Sequence, residues 1–112
     1  MGGFEDVPAQ TKSGRVITVA TLKINPGKEA YFEELITTTK NHALSDKEPG
    51  TFTYRTTRVL DKNGKPTGEY IIFEEYAGKA GFQEHAAQPP LQAIMAEKDV
   101  IASINLEFAD EF

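Results

Sequence analysis

Two histidines and no cysteine confine acid–base and nucleophilic chemistry in this 112-residue chain to a few side chains. The densest set lies in Tyr70 to Leu91, YIIFEEYAGKAGFQEHAAQPPL. There a strand-like run ends in Glu74, Glu75 and Tyr76, Gly78 breaks it, and a helical stretch carries His85 before Pro89-Pro90. An imidazole titrates near neutrality, so His85 could act as a base and take a proton from a phenolic substrate. Its plain alternative is a helix histidine that bonds the neighbouring strand. Strand alternation puts Glu74 on one face with Tyr70, Ile72 and Tyr76, and Glu75 on the other. Burial on that face would raise its pKa, and Glu74 is expected to orient His85 or to act as a base itself. The competing expectation is an ion pair with Arg55 or Arg58 across a hairpin.

Tyr54, Tyr70 and Tyr76 could flank a flat aromatic ligand and offer hydroxyl donors, or simply fill the core as strand aromatics commonly do. Asn41 and His42 fall at an expected helix end. There Asn serves as a C-terminal cap and His complements the helix dipole. His42 becomes a second acid–base group if that end faces the pocket. The two histidines show no metal-ligand spacing such as HExxH, and no metal is expected. Phosphate-binding glycine loops and serine nucleophile elbows are also missing.

The elements that must position these groups follow from periodicity. Arg15 to Ile24 is rich in Val, Ile and Thr and reads as a strand with apolar residues on both faces. Asn25-Pro26-Gly27-Lys28 is a turn that launches a helix, with Tyr31, Phe32, Leu35, Ile36 and Thr39 at helical spacing. Thr51 to Leu60 is a second strand, with Phe52, Tyr54, Thr56, Arg58 and Leu60 on one face. A hairpin at Asp61 to Gly68 leads to a third strand, Glu69 to Tyr76. Gly78 to Gln88 is a short helix, Pro90 starts a further turn, and Val100 to Phe108 is a fourth strand. The order β-α-β-β-α-β is the ferredoxin-like arrangement, an α+β fold with a four-stranded antiparallel sheet and helices on one face. The other face then needs cover, and a homodimer through the sheet is the simplest expectation.

Length and composition give one domain over residues 15–112, preceded by a flexible tail at residues 1–14. The net charge of -5 carries no basic block, so no nucleic-acid partner is expected. No segment approaches the ~20 apolar residues of a membrane span. The first residues resemble no signal peptide, and position 6 is Asp6 where a myristoylation motif has Ser or Thr. A soluble, cytoplasmic protein is expected.

Glu48-Pro49-Gly50-Thr51, Tyr54, Tyr70-Ile71-Ile72-Phe73-Glu74-Glu75-Tyr76, Ala80, His85 and Pro89 occur in an order and spacing that resembles the antibiotic biosynthesis monooxygenase family of the dimeric α+β barrel superfamily. Gln88 stands where many members have Ser or Thr, and Pro90 where several have His. The resemblance implies a cofactor-independent monooxygenase that uses O₂ on an aromatic phenol, quinol or anthrone. His85, Glu74 and His42 would be its catalytic groups, and Asn41, Tyr54, Tyr70 and Tyr76 would contact substrate. Haem degradation in such proteins relies on a tryptophan, which this chain lacks. Asn41-His42 also resembles a pair in members that isomerise a phosphorylated sugar. An acid–base isomerase or cyclase of a small carbonyl compound is therefore the alternative, and a non-catalytic ligand-binding dimer a third.

Overall fold

Alternation of apolar side chains decides which face of each strand is buried, and β1 shows it most plainly. The computed structural model describes residues 3–112. In β1 (Val16–Ile24), Val16, Thr18, Ala20, Leu22 and Ile24 are buried, while Ile17, Val19 and Thr21 are only half covered. β2 (Thr51–Leu60) and β3 (Pro66–Tyr76) form the hairpin, and β4 (Ile101–Ala109) closes the sheet. The strand order is β2-β3-β1-β4, with every neighbouring pair antiparallel. Three helices, α1 (Glu29–Ala43), α2 (Gly78–Ala86) and α3 (Pro89–Ala96), complete the α+β ferredoxin-like fold. The third extends the turn expected at Pro90, since proline at the first helical positions loses no hydrogen bond.

α1 buries Phe32, Ile36, Thr39 and Ala43, one stripe at helical spacing. This stripe packs with the even positions of β1 and with Tyr70, Ile72 and Tyr76 of β3 to form the core. The other sheet face carries Ile71 and Phe73, both more than a third exposed. No helix among the described residues is long and apolar enough to cross a membrane.

Two sequence expectations are corrected here. Simple alternation puts Phe52 beside Tyr54, but a bulge between Thr51 and Thr53 resets the register against β3. Phe52 is consequently exposed, with the Arg15 guanidinium 4.1 Å from its ring centre. The expected flexible tail also packs along part of its length; Met1 and Gly2 lie outside the described residues. Phe4 meets the Phe82 ring edge-on at 5.7 Å and Val7 is buried. The Lys12 amide and Ser13 hydroxyl donate to Asp110 at 2.9 and 2.5 Å. Two apolar side chains with core surface to cover explain this packing better than a free segment does.

Candidate functional site

A pair of glycines sets the geometry around His85. Gly50, just before β2, touches Gly81 of α2: a Cβ on Gly50 would lie 2.9 Å from the Gly81 Cα, and one on Gly81 would lie 2.7 Å from the Gly50 carbonyl oxygen. Only glycine at both places lets the helix settle onto the loop. The Ala77 amide donates to the Gly50 carbonyl at 2.8 Å, and the Gly50 amide to the Glu84 carboxylate at 3.2 Å. One helical turn beyond Gly81, His85 then meets Glu48, which lies two residues before Gly50.

Glu48 is 1% exposed and holds both histidines of the chain. Its Oε1 is 2.6 Å from Nδ1 of His85, and its Oε2 is 2.5 Å from Nδ1 of His42. The Thr51 hydroxyl also donates to Oε1, at 3.4 Å. With Nδ1 engaged, Nε2 is left as the nitrogen of His85 that can take a proton. Burial lowers the His85 pKa, and the Glu48 carboxylate opposes that shift. Tyr76 and Tyr54 rings flank the imidazole at 5.4 and 5.2 Å.

Glu74 does not orient His85. Its carboxyl accepts a short hydrogen bond from the Tyr76 hydroxyl, and it pairs with neither Arg55 nor Arg58. Strand register explains this: Arg55 opposes Phe73 and shares that residue's outward face, while Arg58 opposes Tyr70 and binds Glu33. Burial raises the Glu74 pKa to about 8, only partly offset by the Tyr76 bond, so the group is mostly a neutral acid at pH 7. Burial also pushes both the Tyr54 and Tyr76 hydroxyls well above their usual range, with Glu74 adding to it.

Between sheet and helices lies a cavity of about 40 Å³ with His85, Glu74, Tyr54 and Thr18 on its wall. The rest of the lining is apolar, including Phe4, Ile72, Ile94 and Met95. The Thr18 hydroxyl is buried with no hydrogen-bond partner among the described residues. An unmet buried hydroxyl costs on the order of 1–3 kcal/mol, which a polar group bound in the cavity would recover.

Of the residues expected at a site, His85, Glu74 and Tyr54 reach the cavity. Tyr76 supports them from behind, fully buried, through Glu74 and the His85 ring. His42 joins only through Glu48, with its side chain 18% exposed. Tyr70 lies elsewhere, its hydroxyl 2.7 Å from Glu33 and its ring on Phe32. Asn41 is exposed, and the helix cap falls at Leu44, one turn later than an Asn41 cap requires. Glu48 and Thr18 were not anticipated as site residues. Glu48 sits in a loop, where periodicity is silent; its signal was its place in the Glu48-Pro49-Gly50 motif. No group of three or more His, Cys, Asp or Glu side chains among the described residues converges to hold a metal.

Residues 15–97 match the family described as antibiotic biosynthesis monooxygenase. Among solved structures, a candidate antibiotic biosynthesis monooxygenase from Caulobacter crescentus is similar at 28% identity and a TM-score of 0.74, covering 88% of this chain and 91% of that one. A Pseudomonas aeruginosa protein superposes with a TM-score of 0.77 at 12% identity, covering 92% and 99%. A candidate monooxygenase of the same description from Nitrosomonas europaea gives 0.75 at 12% identity, covering 91% and 94%. Comparison with functionally curated proteins found no match.

Proposed function

The chain belongs to the antibiotic biosynthesis monooxygenase family, and from that premise we propose that it is a cofactor-independent monooxygenase of a small phenol or quinol. The observation that carries this reading is His85: it lines an apolar cavity while Glu48 holds its inner nitrogen at 2.6 Å. Nε2 takes the phenolic proton, and the apolar walls favour transfer without competing water. The phenolate then gives an electron to O₂, the two radicals combine as a substrate hydroperoxide, and loss of water leaves a quinone. The substrate supplies every electron: one phenol and one O₂ become one quinone and one water. Glu74, held neutral by burial, can donate a hydrogen bond to a substrate oxygen, and the unpaired Thr18 hydroxyl offers a second contact.

Cavity size narrows the substrate. About 40 Å³ is well below the ~150 Å³ that accommodates a benzene ring, so side chains must move for any aromatic to enter. Met95 on α3 lines the cavity and is 44% exposed, which makes it the simplest wall to displace. A single ring requires the least movement and a three-ring anthrone the most. O₂ uptake with a panel of single-ring phenols and quinols is the test. Uptake equimolar with quinone is expected, slowed about 100-fold or more in His85→Ala. Undiminished uptake in that variant removes His85 from the reaction.

A second reading is favoured by the two imidazoles on one carboxylate, which suit proton transfer without oxidation: an isomerase or cyclase of a small carbonyl compound. Turnover under strict anaerobiosis separates it from the first. For either reading, the proposed cover of the open sheet face is a second copy of the chain, supported by the exposed Ile71 and Phe73 at its centre. The proposed setting is the cytoplasm; with zero cysteines, nothing in the sequence depends on an oxidising compartment.

A further inference from the structure

We infer that His42, Glu48 and His85 form a proton relay that connects the buried cavity to solvent. Three observations carry it. Each oxygen of Glu48 meets Nδ1 of a different histidine, at 2.6 and 2.5 Å, so the hydrogen bonds run unbroken from one ring to the other. The two ends differ in access: His85 lines the cavity at 2% exposure, whereas the His42 side chain is 18% exposed. The middle is sealed: Glu48 is 1% exposed, and among the described residues no Lys or Arg pairs with it, so each of its oxygens meets an imidazole rather than a fixed cation.

The transfer balances in protons and moves no electrons. Nε2 of His85 gains a proton from a molecule in the cavity, and its Nδ1 proton passes to Oε1. The proton shared between Oε2 and Nδ1 of His42 settles on His42, whose Nε2 releases one to water. One proton enters, one leaves, and no net charge accumulates beside the apolar wall, where an uncompensated charge would be costly. The reverse sequence returns the proton to a product. His42 sits in the last turn of α1, at the solvent end of the chain of hydrogen bonds. The charged or titratable neighbours of this chain are Glu74, Tyr54 and Tyr76 around His85, and Glu84, bound to the Gly50 amide. None of them links His85 to Glu48 or His42 by a hydrogen bond among the described residues.

The relay is a property of the resting protein and holds for oxygenase and isomerase alike, so its test needs no substrate. Exchange of the His85 ring N–H proton with water is measured by ¹⁵N NMR in the full chain, with backbone amide exchange of His85 and Thr51 reporting local opening. His42→Asn keeps a polar side chain at a partly exposed position and is expected to slow ring-proton exchange at least tenfold while amide exchange stays unchanged. Glu48→Gln retains the shape but cannot pass a proton, and is expected to slow it equally. Where Glu48→Gln fails to fold, the His42→Asn comparison decides. Unchanged ring-proton exchange in His42→Asn, or slowing matched by the amides, overturns the relay and leaves Glu48 a purely structural anchor.

Discussion

Glu33 and Glu74 each accept a hydrogen bond from a tyrosine hydroxyl, yet their surroundings drive them in opposite directions. Glu33, on α1 and partly exposed, takes the Tyr70 hydroxyl at 2.7 Å and a two-pronged Arg58 guanidinium at 2.7 and 2.5 Å. Its pKa falls, first through Arg58 and then through Tyr70. Glu74 takes the Tyr76 hydroxyl inside the core, pairs with no cation among the described residues, and rises to about 8 through burial. The phenol is common to both, so the phenol does not decide the outcome. A cation and access to water make Glu33 a structural anion, and their absence makes Glu74 a proton-bearing acid. Glu48 is a third case, buried like Glu74 but held between two imidazoles in place of a guanidinium.

Glu48→Ala should break this comparison hardest. It leaves two imidazoles without their shared acceptor, one of them fully buried, and should cost about 3–5 kcal/mol in urea unfolding. Glu74→Gln has a smaller effect that depends on pH. Between about pH 4.5 and about pH 8 folded Glu74 keeps a proton that the unfolded chain has released. Its contribution is therefore fully present below about pH 4.5 and is lost as pH rises to about 8. The slope approaches 1.4 kcal/mol per pH unit inside that window. Glu74→Gln should flatten this part of the stability curve, measured by urea melts at successive pH values; an unchanged slope would show that Glu74 is ionised at neutrality. Arg58→Gln should matter least. That arginine is more than half exposed, and surface pairs contribute little. The expected result is an unchanged unfolding midpoint, with the Glu33 carboxyl shifting upward in a ¹³C titration.

The fold was legible because strand and helix periods carry it. The faces of β1 and β3, the burial of Glu74 and the arrival of His85 near it all follow from spacing two along strands and from one helix. The site was legible only in part. Glu48 lies in a turn, and a turn shows no period that would reveal which way its side chain points. The contact that brings it to His85 joins residues thirty-seven apart through a glycine pair whose closeness no spacing reports. Alternation alone does not place Phe52, because the bulge between Thr51 and Thr53 sets it out of phase with Tyr54, and bulges leave no fixed signature in a run such as TFTY. Phe4 and Val7 read as part of a tail because two apolar residues among polar ones carry no periodic pattern at all.

Phe4 also bears on where this protein can be cut. The family match spans residues 15–97, but the cavity wall includes Phe4 before that span and Ile101, Ile104 and Leu106 after it. β4 in addition pairs along almost the whole length of β1. A fragment trimmed to the matched span would keep His42, Glu48 and His85 but lose two sides of the cavity that His85 lines, and would leave β1 with an open edge prone to pairing with other chains. The packed unit is thus wider than the matched span: that span holds His42, Glu48 and His85, and its two flanks complete the cavity wall.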